Sequence, residues 1–202
     1  GLREDEFNEK FFVAWKNGTT GFPFLDACMR SLKVNGWINF RMRAMLMSFA
    51  SYHLWLHWKH TSDFLATLFI DYEPGIHYTQ SQMQSGTTGI NSIRIYNPIK
   101  QGKDHDPEGV FIRKWIPELS NIPQKDIHTP WLSQVKLKSY PLPLVDEATA
   151  RKEAAKKIYN IRNSKNFKEQ SNNIYLKHGS RKINYKSKSK KLVNRTDQLS
   201  LF

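Results

Sequence analysis

The chain has 202 residues, 31 Lys and Arg against 18 Asp and Glu, a formal net charge of +13 and a single cysteine. That length supports one sizeable core or a domain with a tail, and one cysteine excludes an intrachain disulfide framework and suits a reducing, cytoplasmic setting. The charge is uneven: residues 1–150 carry 16 basic against 15 acidic side chains and residues 151–202 carry 15 against 3, which points to a polyanionic partner, nucleic acid before membrane.

Taken in order, the predicted helices are 5–16, 23–34, 38–59 and 62–71. The second has Pro23 in its first turn and stops before Gly36. The third is apolar nearly all round, carries no formal charge from Ala44 to Trp58, and begins with Arg41 and Arg43. A helix of that kind is normally buried, and a buried guanidinium is costly unless an anion meets it. His53 and His57 interrupt the run, which reads as a core helix and not a membrane span. The fourth helix can be capped by Thr61 or Ser62, with Asp63 in its first turn.

Next comes DYEPGIHYTQSQMQSGTTGIN, with turns expected at Pro74, Gly75 and Gly86. RIYNPIKQGKDHDPEGVFIRKWIPEL follows as loops around a short helix at 108–116. Alternating β-type runs are almost absent, so the fold reads as all-α. From about Asn163 the composition shifts to Lys, Asn and Ser, which reads as a disordered basic tail over 163–202. No metal site is expected, and Cys28 reads as a core thiol.

Three stretches, WKNGTTGFPFLDACMRSLKVNGWINFRMRAMLMSF, DYE and RIYNPIKQGKDHDPEGVFIRKWIPEL, resemble in order and spacing the flavin-binding helical domain of the DNA photolyases and cryptochromes. The resemblance runs from about Trp15 to Trp131 and covers the later part of that family's architecture, so the chain is expected to be a fragment, with residues 1–162 as part of the FAD-binding domain. It implies FAD as cofactor, UV-damaged DNA as partner, and light-driven splitting of pyrimidine dimers in the full-length protein. The alternatives are a cryptochrome-type blue-light receptor and a flavin-free DNA- or clamp-binding module on the same scaffold.

Residue by residue, the resemblance places Arg43 beside the flavin ring and pairs it with Asp71. It adds Tyr72, Glu73 and His77 to the cofactor site, with His77 where an asparagine commonly faces the flavin. Arg41 lies about 200° around the helix from Arg43 and should take a different partner. By resemblance Phe40, Arg41 and Gln101 face DNA. Trp58 matches the middle tryptophan of the family's electron relay and is the candidate for electron transfer. The flavin-proximal tryptophan falls on Ser81, so the usual relay is broken; Trp55, Tyr52 or Tyr78 would have to supply another route. SQM at 81–83 stands where many photolyases have WQW. At the far end, Gln198, Leu199, Leu201 and Phe202 of QLSLF resemble the pentapeptide that docks bacterial DNA-processing proteins onto the sliding clamp.

Overall fold

In a computed structural model of the chain, residue 3 and residues 6–88, 92–137 and 139–178 are described. Among them the secondary structure is entirely helical. Helix α1 (Glu9–Asn17) is capped by the Asn8 side chain, which accepts from the Phe11 amide, and ends at Gly18. Helix α2 (Pro23–Asn35) buries Phe24, Leu25, Ala27, Cys28, Met29 and Leu32 and packs against α1 and three later helices. Burial pushes the Cys28 thiol well up, as a core thiol requires.

Asp26 lies inside α2 with no exposure. Its carboxylate accepts from the Thr20 amide at 2.9 Å, the Thr20 hydroxyl at 2.6 Å, the Gly21 amide at 3.0 Å and the Tyr140 hydroxyl. A buried carboxylate needs such partners, and these fasten the loop before α2 to a segment 114 residues away.

The expected helix at 38–59 is not continuous. It runs as α3 (Phe40–Ser48), widens into a π turn (Phe49–His53) and breaks, and α4 (Trp58–Ala66) starts afresh. Within the break Trp55 adopts a positive φ of 52°, a conformation that costs a non-glycine residue about 1–3 kcal/mol. Its ring meets the Arg3 guanidinium at 4.4 Å and the Lys157 ammonium at 4.5 Å. Cation–π contacts of about 0.5–2 kcal/mol each offset that cost. The expected helix at 62–71 therefore shifts to 58–66, and residues after Ala66 form turns.

The DYEPG stretch contains more than turns. Pro74 opens α5 (Pro74–Ser85), Glu73 caps it and Gly86 ends it with φ 73°. Any side chain at Gly86 would run into the Tyr52 hydroxyl. Asn97 caps α6 (Pro98–His105), where loop was expected; α7 (Val110–Trp115) fills the middle of the expected 108–116 helix. Three single 3-10 turns follow, Pro117–Leu119, Gln124–Asp126 and Pro130–Leu132.

Helix α8 (Glu147–Asn163), capped by Asp146, packs on the π turn through Ala154, Ile158 and Tyr52. There Glu147 accepts from Arg151 at 3.0 Å and lies 3.3 Å from His53 Nε2. Burial holds the His53 imidazolium pKa below its ordinary value against the pull of Glu147. Residues 165–178, expected as unstructured tail, form α9 (Lys165–His178). It follows α8 directly, and most of its described side chains are exposed. No described helix is long and apolar enough to cross a membrane.

Candidate functional site

Helices α3, α4 and α5 enclose a cleft of about 180 Å³. Its floor is apolar, formed by Ala44 and Met47 of α3, Leu65 of α4 and Phe69 beyond it; its mouth carries Phe40, Arg43, Asp71, Tyr72 and Glu73. A complete ligand pocket usually holds about 300–1,000 Å³, so this cleft has the size of one end of a ligand. The break between α3 and α4 is what makes it, because a continuous helix would carry α4 away from α5.

At the mouth the Arg43 guanidinium is held three ways. Nε donates to the Ile38 carbonyl at 2.8 Å, Nη2 donates to Asp71 Oδ2 at 2.9 Å, and the group lies 4.1 Å over the Phe69 ring. The anion expected beside Arg43 is present. The expectation of full burial is corrected: the Arg43 side chain is 24 % exposed and Asp71 47 %, because the helix start opens onto the cleft. The hydrogen bond from Arg43 holds the Asp71 carboxyl below its ordinary range.

Glu73 accepts from the Gly75 amide at 3.2 Å and the Ile76 amide at 2.7 Å, so its side chain is committed to capping α5. His77, in the first turn of α5, puts Nε2 2.8 Å from the Ser62 carbonyl and 2.9 Å from the Ser62 hydroxyl. A carbonyl can only accept, so Nε2 carries a hydrogen. Ser62 in turn donates to Ser81 Oγ at 2.9 Å. Ser81, the last of these polar groups, stands at the position where the resemblance implies a tryptophan.

Beyond His77, the same face of α5 presents Gln80, Ser81 and Gln84, spaced three, four and seven residues on. Ser62 reads from the sequence only as a helix cap, and Gln80 and Gln84 carry no motif there. Their signal is the helical spacing from His77, visible only once DYEPG is read as a cap and first turn.

Arg41 and Gln101 line a second cleft, between α3 and α6, with Asn39 and His105; Phe40 borders both clefts. The separation expected of Arg41 and Arg43 is therefore present. Trp58 borders neither described cleft. It stands edge-on to Tyr78 at 6.4 Å, and Tyr78 meets Tyr72 at 6.5 Å and His77 at 5.3 Å. Tyr52 and Trp55 lie under α8 on another side, so of the three alternative relay aromatics Tyr78 is the one joined to the cleft. Its hydroxyl donates to Asp63 at 2.8 Å, which raises the phenol pKa. Gln198, Leu199, Leu201 and Phe202 lie outside the described residues.

The family model described as the FAD binding domain of DNA photolyase matches residues 2–160. A deoxyribodipyrimidine photo-lyase of Alkalihalophilus pseudofirmus is 39 % identical over 153 residues, 70 % of this chain and 32 % of that protein. Cryptochrome-2 of Arabidopsis thaliana is 38 % identical over 162 residues, 75 % of this chain and 26 % of that one. Among solved structures, an archaeal photolyase from Sulfolobus tokodaii with two FAD molecules superposes with a TM-score of 0.71 at 35 % identity, covering 77 % of this chain and 36 % of that one. The chain thus spans about a third of the length of these relatives.

Proposed function

The chain belongs to the FAD-binding domain family of DNA photolyases and cryptochromes, and on that premise we propose that it forms the ring-holding part of a flavin site in a light-dependent DNA repair protein. The observation that carries this reading is the α3–α5 cleft. An apolar floor, a fixed cation at the mouth and a polar α5 wall with buried, unmet amide atoms together suit one flat end of FAD. Bound there, FAD supplies light absorption and one-electron chemistry. Arg43 keeps positive charge at the mouth, where a reduced, anionic ring is favoured. His77 presents its ring with the Nε2 hydrogen held by the Ser62 carbonyl, and Ala44, Met47 and Leu65 exclude water from the floor.

Cleavage of pyrimidine dimers is proposed for the longer protein of which such a domain is a part. Phe40, Arg41 and Gln101 face DNA in this reading, in a cleft adjoining the cofactor. Trp58, through Tyr78, is the proposed path for an electron toward the cleft. Residues 163–202 are proposed as a basic arm whose end, Gln198, Leu199, Leu201 and Phe202, docks on a sliding clamp; clamp pulldown should vanish in Leu201→Ala/Phe202→Ala, and unchanged pulldown removes that partner.

Ser81 and Met83, where many photolyases have aromatic side chains, favour blue-light signalling as a second reading. The deciding experiment is the visible spectrum of the purified chain with and without added FAD. Absorption near 450 nm that disappears in Arg43→Ala supports a flavin site in this chain, whereas a folded chain that never takes up FAD means that further helices of the longer protein are indispensable. Absorption near 450 nm in that longer protein then separates a flavoprotein from the flavin-free module. Light-dependent restoration of ultraviolet-damaged DNA then separates repair from signalling.

A further inference from the structure

The α5 wall carries an amide that no described residue answers. Gln84 is 3 % exposed, lines the cleft, and among the described residues has no hydrogen-bond partner at either Oε1 or Nε2. Gln80, one turn earlier, lines the same cleft and its Oε1 is also buried without a partner. Buried side-chain polar groups are nearly always met, because an unmet one forfeits its hydration. The facing residues, Ala44, Met47 and Leu65, offer no strong donor or acceptor. A methionine at position 84 would fill similar volume with no such penalty, so the carboxamide answers to something outside the chain.

The chemistry of that something follows from the amide. A primary carboxamide presents a donor beside an acceptor in one plane, and its complement is a flat nitrogen heterocycle with an acceptor beside a donor on one edge. An apolar floor and a narrow cleft suit such a ring. We propose that Gln84 is a specificity-determining residue of this cleft, reading the donor–acceptor edge of a bound nitrogen heterocycle, with the Gln80 carbonyl as a further acceptor. The proposal rests on the flavin reading above and extends it to one side chain. FAD has two edges of this kind, on its pyrimidinedione and on its adenine, and the test separates them.

The full chain and its Gln84→Met and Arg43→Ala variants are melted without ligand and then titrated with FAD, FMN and ADP. For Gln84→Met the expected result is a melting temperature without ligand that holds or rises, by up to about 2–4 °C, together with about ten-fold weaker FAD binding. A matching loss for FMN assigns the flavin edge, and a matching loss for ADP assigns the adenine edge. A purely structural glutamine gives the opposite sign, with stability falling when the amide is removed. The proposal is overturned if Gln84→Met binds FAD like wild type, or if stability and affinity fall together. FAD uptake by wild type and Gln84→Met alike, lost in Arg43→Ala, leaves the flavin reading standing and ends this one. Wild-type binding of ADP alone ends the flavin reading but keeps a heterocycle site, provided Gln84→Met weakens it; binding of none of the three ends both for this chain.

Discussion

Asp26 on α2 and Gln84 on α5 are both polar and almost wholly buried, yet their surroundings are opposite. Asp26 meets four donors, from Thr20, Gly21 and Tyr140. Gln84 meets none. Burying a polar group carries the same kind of penalty in both places, so the difference lies in what relieves it. Around α2 the protein relieves it internally and gains a fixed fold. Along α5 the relief must come from outside, and a binding surface results.

The largest way to test the contrast is Asp26→Ala, which leaves four buried donors without an acceptor. Hydrogen bonds to a charged group contribute about 1.5–3 kcal/mol each and are not additive, so a loss of about 3–5 kcal/mol in urea unfolding is expected. A comparable loss on Gln84→Ala would erase the distinction between the two regions.

A pH titration of stability comes next. Burial pushes Asp26 up to about 6 from 3.8, with its four hydrogen bonds pulling the other way. An acid that holds its proton more tightly when folded stabilises the fold while protonated. Its contribution is therefore full below about pH 4, declines by about 1.4 kcal/mol per pH unit up to about pH 6, and is flat above. Unfolding midpoints from pH 4 to 7 should show this decline in wild type relative to Asp26→Asn; parallel profiles would mean that Asp26 is charged at every pH tested.

Smaller effects are expected on the cleft side. Glu73→Ala removes the cap of α5 and should cost about 1 kcal/mol. Arg43→Ala should cost less than about 1 kcal/mol, since the Arg43–Asp71 pair is partly solvated. It should nevertheless abolish FAD uptake. The mutation least felt by the fold would then be the one most felt by the site, and a large drop in stability with cofactor still bound would invert the comparison.

The sequence made α2 legible almost to the residue because Pro23 and Gly36 punctuate an amphipathic segment. The break at Leu54–His57 was not legible. It contains no proline or glycine, and Trp55 holds its left-handed backbone against residues as distant as Arg3 and Lys157. Helix α5 escaped notice for a functional reason: its cleft-facing positions are His, Gln, Ser and Gln, so it lacks the apolar stripe that announces a helix. Helix α8 carried an ordinary signal, Asp146 before an Ala- and Lys-rich run, that was not singled out. The Arg43–Asp71 pair was legible from charge logic and resemblance together, whereas Gln84 was visible only through its lack of partners.

The span of the Tyr140–Asp26 bond also bears on the order in which the molecule assembles. That contact closes a separation of 114 residues and His53–Glu147 one of 94, whereas Arg43–Asp71 spans 28 and His77–Ser62 only 15. Short loops close at lower entropic cost and sooner. At about 5–20 residues per second, Tyr140 leaves the ribosome's catalytic centre roughly 3–11 s after Ser85. For that interval the nascent chain has the groups of its cleft but lacks the hydroxyl that completes the set around Asp26, so the binding surface can form before the core that carries it is closed.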